Sequence, residues 1–220
     1  MAIFETLTLA ERARQLANPE GAVGLAVADW LNETNKPASA KIVASLNVQP
    51  GARVLEIGFG NGRTAPDVIA QAADVTYAGI DISPTMVAEA SAFNAALVAA
   101  GRATFRLGSA ERMPFADAAF DRAFSMGVIH FWTDPAGSFA EVRRVLRPGG
   151  SMLMACLAPR EAPEFARPEY GFHLRDAATW DALCRAAGFA DVHVETVEAE
   201  QVTPSGAPIR RFGIIVMGRA

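Results

Sequence analysis

The 220-residue chain has two cysteines, three histidines and no excess of basic charge. Cys156 and Cys184 stand far apart with no pairing pattern. A disulfide framework is therefore excluded, and a reduced, cytoplasmic protein is the expectation. His130, His173 and His193 are scattered. No Cys or carboxylate cluster has ligand spacing either, so no metal site is expected. The formal net charge is −4, which prepares no surface for phosphate backbones and argues against nucleic acid as a partner. The residues just after Met1 include Glu5 and no Lys or Arg, so no secretory signal is expected. The longest apolar runs, 22–31 and 151–158, are too short to span a bilayer, and stable membrane insertion is not expected. The run at 22–31 leaves two readings open: a membrane-facing patch for a lipid-like or quinone ligand, or a face packed on a sheet.

About half of the residues are apolar and a fifth are charged, which suits one domain with a full core spanning 1–220. Thr8-Leu9-Ala10-Glu11 has the spacing of a capping box and predicts a helix to about Ala17. Further helices are predicted over 22–33 and 39–46, so that residues 1–47 form an N-terminal helical extension. The pattern then changes to alternating strands and helices over 48–220. Strands are predicted at 53–57, 75–80, 103–107, 120–126 and 151–157. Helices are predicted at 66–73, from Ser83-Pro84 to about Gly101, after Asp134-Pro135, and from Asp176 to Gly188. Two last strands, about 190–198 and 210–217, flank a loop containing Pro204, Gly206 and Pro208. That connection is short for a parallel crossover, so the final strand should be antiparallel. The expected fold is α/β: a Rossmann-like three-layer sandwich around a seven-stranded, mostly parallel sheet with a helical cap.

The segment VLEIGFGNG, residues 54–62, leaves the first strand through Gly58, Gly60 and Gly62. A triphosphate-binding loop would need Lys where Arg63 stands and Gly where Ile57 stands. A dinucleotide fingerprint would need glycine at Arg63, three residues after Gly60. Asp81, at the end of the second strand, suits any ribose-bearing ligand.

Glu56-x-Gly58-x-Gly60-x-Gly62 resembles motif I of the class I S-adenosylmethionine-dependent methyltransferases. YAGIDIS (77–83), GSAERMPFADAAFDRAFSMGVIHFW (108–132) and EVRRVLRPGGSML (141–153) are similar to later segments of that family, in order and at the expected spacing. The resemblance implies a small-molecule methyltransferase with S-adenosylmethionine as cofactor. It places Glu56 near the amino end of the methionine portion and the three glycines under it. Asp81 would take the ribose hydroxyls, with Ile82 and Met86 against the adenine. Ala110 would meet the adenine edge through its backbone, and Met126 and Gly127 would line the cavity. Ser109 stands where the family often has Asp, so its bond to the adenine amino group is the weaker one a hydroxyl can make. DWLNETN (29–35) resembles one branch of small methyltransferases with an Asn pair before the core. Asn32 and Asn35 are thus candidate substrate-binding residues, with helix C-terminal caps as the alternative.

His130, just past the fourth strand, is the residue to test first as a catalytic base, with a wall position as its alternative. Phe131, Trp132, Tyr170 and His173 are candidates for the substrate pocket. The helices before residue 47 and the loops at 128–133, 158–175 and 199–209 remain to build that pocket. Phe4, Trp30, Phe165 and Phe172 lie among them and suggest a partly apolar acceptor. The sequence SMGVIHFW after the fourth strand lacks the Asn/Asp-Pro-Pro-aromatic segment of relatives that methylate exocyclic amino groups. Two other readings stay open: a nicotinamide-dependent oxidoreductase on a similar sheet, and a non-catalytic regulatory protein that binds the same cofactor.

Overall fold

The computed structural model describes residues 3–160, 162–202 and 208–220. Seven strands form one sheet in the order β3-β2-β1-β4-β5-β7-β6. They are β1 (Arg53–Ile57), β2 (Thr76–Asp81), β3 (Ala103–Leu107), β4 (Phe120–Met126), β5 (Leu146–Leu157), β6 (Ala190–Val202) and β7 (Pro208–Arg219). The first five run parallel, and β7 enters antiparallel between β5 and β6. Chain order reverses between β1 and β4. A crevice at the carboxyl ends of the strands is the usual ligand position there.

Strand alternation sends side chains to two faces. On one face Val54, Tyr77, Phe124 and Leu153 pack with Ile42 and Val43 of α3 (Gly21–Ser45) and with Val68 of α4 (Ala65–Ile69). On the other, Leu55, Ile80, Ala123 and Met154 pack with Phe139 and Val142 of α7 (Pro135–Val145) and Trp180 of α8 (Ala177–Ala186). Both faces are covered, which is why β1, β2 and the second half of β5 read as apolar runs.

The N-terminal extension begins with α1 (Ile3–Thr6) and α2 (Leu9–Ala17). The Thr8 hydroxyl accepts the Glu11 backbone N–H at 3.3 Å, and Glu11 accepts the Thr8 backbone N–H at 2.9 Å, the capping box read from sequence. The two helices expected at 22–33 and 39–46 are one helix, α3, with Pro37 inside it. Proline removes the N–H that would meet the Glu33 carbonyl. Glu33 and Pro37 both lie on the exposed side, where water can serve that carbonyl. Asn32 and Asn35 therefore sit mid-helix and are not C-terminal caps.

The helix expected after Ser83 divides into α5 (Pro84–Phe93) and α6 (Ala95–Ala99) at Asn94. Asn94 turns its amide inward to the carbonyls of Gly62 and Ala90. The helix expected at 66–73 is shorter, and the last two strands are longer, than the pattern indicated. Residues 199–202 and 208–209 of the expected loop belong to these strands. Pro204 and Gly206 lie outside the described residues.

Candidate cofactor and acceptor site

The turn after β1 is shaped by three glycines that serve different purposes. All three have positive φ: 71° at Gly58, 57° at Gly60 and 73° at Gly62. A Cβ at Gly58 would lie 2.3 Å from Val128 Cγ2, and one at Gly62 would lie 2.7 Å from Ala90 Cβ. Only at Gly60 would a Cβ meet nothing within 4 Å. The sequence suggested that all three give a ligand close access. Of the three, Gly60 keeps open space beside its backbone, while Gly58 and Gly62 let the loop pack against the segment after β4 and against α5. Gly127, at the end of β4, has φ 73° and open space in the same way.

Asp81 joins the ends of β1 and β2. Its Oδ2 accepts the Gly60 N–H at 2.9 Å and its Oδ1 accepts the Ser83 N–H at 2.9 Å. Each carboxylate oxygen has a second acceptor site, so the pair can still take two hydroxyl donors. Burial raises the Asp81 pKa, and the N–H groups of Ser83 and Gly60 pull it back. Ile82, the next residue, is 52% exposed, an apolar side chain left beside a polar cradle. Met86 does not join it. It is fully buried with Ala28, Phe59 and Ala90, because its position on α5 turns inward under α3.

Glu56 is buried one residue before the turn. Its Oε2 accepts the Thr64 hydroxyl at 2.5 Å and the Tyr77 hydroxyl at 2.6 Å. Burial pushes its pKa up to about 7, the two hydroxyls oppose this, and the nearby Asp81 adds to it. Sequence reasoning missed Tyr77 and Thr64. The signal for Tyr77 was available: it pairs with Val54 in register, and Val54, Glu56 and Tyr77 share one sheet face.

Asn61, in the same turn, was also missed. It accepts the Asn32 amide at 2.8 Å and donates to Asp29 at 2.9 Å. Arg63, beside it, pairs with Glu89 at 3.1 Å and lies over the Phe93 ring at 3.8 Å. The glycine turn is thereby tied to α3 on one side and to α5 on the other. Asn32 reaches the turn itself, and Asn35 lies further along α3.

Ser109 and Ala110 follow β3. The Ser109 hydroxyl accepts the Glu111 N–H at 3.2 Å, and Ala110 is buried. Met126 is half-buried against the α3 face of the sheet.

A run of aromatic rings links α1, α3, the turn after β4 and the stretch after β5. Phe4 stacks on Trp30 at 4.0 Å and meets Phe165 edge-on at 5.8 Å. Phe165 lies 6.0 Å from Phe172, which stacks on His130 at 5.1 Å and lies 4.6 Å from Phe131. Tyr170 packs against this cluster. The His173 N–H donates to the His130 carbonyl at 2.7 Å, fastening the stretch after β5 to the turn after β4. Trp132 is not in this run. It is buried against Phe139 at 5.3 Å in the core under α7, because the turn points it to the opposite face. His193 is exposed near Glu195 on β6.

His130 is buried, and burial pushes its pKa down to about 3. Its Nδ1 accepts the Leu157 N–H at a long 3.4 Å. A neutral imidazole with Nδ1 accepting carries its hydrogen on Nε2. Cys156 and Cys184 are buried, and burial raises both thiols to about 12, so neither is poised as a nucleophile. Among the described residues no group of His, Cys, Asp and Glu could hold a metal ion, and no helix is long and apolar enough to cross a membrane.

Residues 55–154 match the family model described as a methyltransferase domain. The chain is 32% identical over 117 residues to an O-methyltransferase, resE, of Aspergillus sclerotiorum, covering 53% of this chain and 44% of that protein. It is 27% identical over 161 residues to the uncharacterized methyltransferase YdaC of Bacillus subtilis, covering 73% and 84% of the two chains. Among solved structures, phosphoethanolamine N-methyltransferase 2 of Haemonchus contortus in complex with S-adenosyl-L-methionine superposes with a TM-score of 0.69. That likeness covers 83% of this chain and 52% of the other at 18% identity, and is one of fold. The chain spans about half the length of the first curated relatives it matches, 44% and 43% of them.

Proposed function

We propose that this chain is a class I S-adenosylmethionine-dependent methyltransferase that transfers the methyl group of that cofactor to a small, partly apolar acceptor at the carboxyl edge of its sheet, a reading supported by the methyltransferase-domain match and the O-methyltransferase relatives. One observation carries the cofactor half of this reading. Gly60 offers open backbone at the end of β1, and its N–H holds Asp81, whose second acceptor sites suit the two hydroxyls of a ribose. Exposed Ile82 beside Asp81 supplies an apolar surface for a flat base. Glu56 lies buried behind the turn with Oε2 engaged by Thr64 and Tyr77, and in this reading its carboxylate, when ionised, balances the ammonium of the methionine portion.

When bound, the cofactor supplies a methyl group made electrophilic by its sulfonium. The chain's own residues then need to align the acceptor and exclude water from the line of approach. The rings of Phe131, Phe165 and Phe172 support the exclusion of water, and α3 with the stretch at 158–175 supports the enclosure. Asn32, held by Asn61, places the middle of α3 against the cofactor turn. His130 serves in this reading as a neutral Nε2–H donor in the wall. A group whose pKa lies near 3 is a poor proton acceptor at neutral pH, so we do not assign it the role of base.

Isothermal titration with S-adenosylmethionine tests the cofactor reading. Binding in the micromolar range is expected, and no heat at high micromolar cofactor would refute it. The O-methyltransferase relatives favour a hydroxyl acceptor. A screen of hydroxylated aromatic compounds with methyl-labelled cofactor, read by transfer of label, tests that half.

A further inference from the structure

In the loop after β3, Ser109 stands at the position expected to meet the adenine amino group, and a hydroxyl accepts that bond less strongly than a carboxylate would. Ser109 Oγ accepts the Glu111 N–H, and the Ser109 backbone bridges Arg112. Recognition of the base then falls on backbone groups near Ala110. A backbone contact is only as good as the placement of the backbone, and this loop has little regular structure of its own.

What holds the loop is α7. Arg144 Nη1 donates to the Phe115 carbonyl at 2.9 Å and to Asp117 at 2.6 Å. Its Nη2 reaches the Met113 carbonyl at 3.3 Å. Glu141 binds the same guanidinium through both oxygens at 2.7 Å, and its Oε1 also accepts the Met113 N–H at 2.7 Å. The Arg144 carbonyl in turn accepts the Ala118 N–H at 3.0 Å. Three loop carbonyls or N–H groups and one loop carboxylate thus converge on two side chains one helical turn apart. A guanidinium is a rigid planar fork, so such a set fixes orientation as well as distance.

We propose that Arg144, oriented by Glu141, is a positioning residue for the cofactor: it clamps residues 113–118 and thereby sets the backbone that meets the adenine. The inference rests on the cofactor reading above. It gives a role to the Glu-Val-Arg-Arg segment at 141–144, which touches no reacting atom.

Calorimetry at 25 °C with two probes tests it, S-adenosylhomocysteine and 5′-methylthioadenosine, the second lacking the amino-acid tail. Arg144→Met is expected to weaken both by about tenfold or more and by the same factor, as loss of several charge-assisted bonds would. Arg144→Lys is expected to recover part of the loss on both probes. Hydrogen exchange in 109–118 should speed up in Arg144→Met while exchange in β1 stays slow. Should Arg144→Met fail to fold, Asp117→Ala removes only the exposed partner, and a loss of about threefold on both probes is expected. Unchanged binding of both probes by the variant that folds would overturn the proposal. So would weakened S-adenosylhomocysteine with unchanged 5′-methylthioadenosine. A wild-type protein that binds neither probe would refute the cofactor reading itself, a result separable from failure of the clamp.

Discussion

Replacing Glu56 by glutamine should flatten the dependence of stability on pH. In the folded chain Glu56 is buried and its pKa stands at about 7, against 4.5 for an ordinary glutamate. The folded state therefore keeps a proton that the unfolded state releases near pH 4.5. Between the two values the unfolded state binds fewer protons, so stability falls as pH rises. Below 4.5 nothing is lost, and above about 7 the loss is complete. A difference of about 2.5 pH units corresponds to roughly 3 kcal/mol. Asp81 is also raised by burial and adds to the wild-type decline. A glutamine carbonyl oxygen can still accept both the Thr64 and Tyr77 hydroxyls, so Glu56→Gln removes the charge and keeps the bonds. Urea unfolding at pH 5, 6, 7 and 8 measures the effect. The wild type should lose on the order of 3 kcal/mol across this range, and the variant should lose much less. The same change should weaken S-adenosylmethionine above pH 7, where the wild-type carboxylate is ionised and can balance the cofactor's ammonium. Parallel stability curves for the two proteins would refute the assignment of a buried, protonated Glu56.

Gly58→Ala should cost about 3 kcal/mol, from an L-residue at positive φ and from the contact with Val128, measured by denaturant midpoint. Gly60→Ala should cost only about 1 kcal/mol of stability, because its Cβ meets no protein atom, yet should weaken S-adenosylhomocysteine about tenfold or more in calorimetry. Equal stability losses for the two would contradict the separate purposes assigned to them. His130→Phe preserves stacking on Phe172 and should lower kcat less than about tenfold, with an unshifted pH profile, on whichever acceptor a screen identifies. A loss of about a hundredfold or more would instead mark His130 as the base. Asn61→Ala removes both bonds to α3 and should speed hydrogen exchange around residues 29–33, with global stability lowered by about 1–2 kcal/mol.

The fold was legible wherever a periodic apolar run ended in a turn residue. The bounds of β1, β3 and β4 coincide with the pattern, and the caps at Thr8, Ser83, Asp134 and Asp176 all accept a backbone N–H in their first turn. What misled the reading was local chemistry overruled by distant contacts. The pattern predicts two helices, at 22–33 and 39–46, but packing of Ile42 and Val43 on the sheet and of Ala28 on Phe59 holds one helix through Pro37. Asn94 broke a helix that propensity alone would continue, because its amide serves the Gly62 carbonyl. In the site, Glu56, Gly60 and Asp81 could be picked out because the chemistry lies within each short motif. Thr64 and the Asn61–Asp29 link could not be, since each depends on which side chain comes within reach, and Tyr77 follows only from the β1–β2 register. Trp132 and Met86 show the converse: the residue type suited a pocket, and the direction of the side chain decided for the core.

The helix α3 joins the two halves of the site through its own periodicity. At about 100° per residue, Asp29 and Asn32 fall on one side, and Trp30 and Thr34 lie roughly 100° or more away from Asp29. The first side holds Asn61 in the cofactor turn. The second carries the Trp30–Phe4 stack, and through Phe165 and Phe172 it continues to His130. The indole Nε1 of Trp30 and the hydroxyl of Thr34 are buried, with no partner among the described residues. An unmet buried donor costs about 1–3 kcal/mol, so this side of α3 is the less satisfied one. The side against the cofactor turn is tied down by the Asn32–Asn61 and Asn61–Asp29 bonds, whereas the aromatic side keeps polar groups that water or an acceptor can meet. In the proposed reading, a helix fixed on its cofactor side and unsatisfied on the other puts acceptor specificity outside the glycine turn. On that proposed reading the motif points to the cofactor, and the acceptor is left to residues of α1, α3 and the stretch after β5.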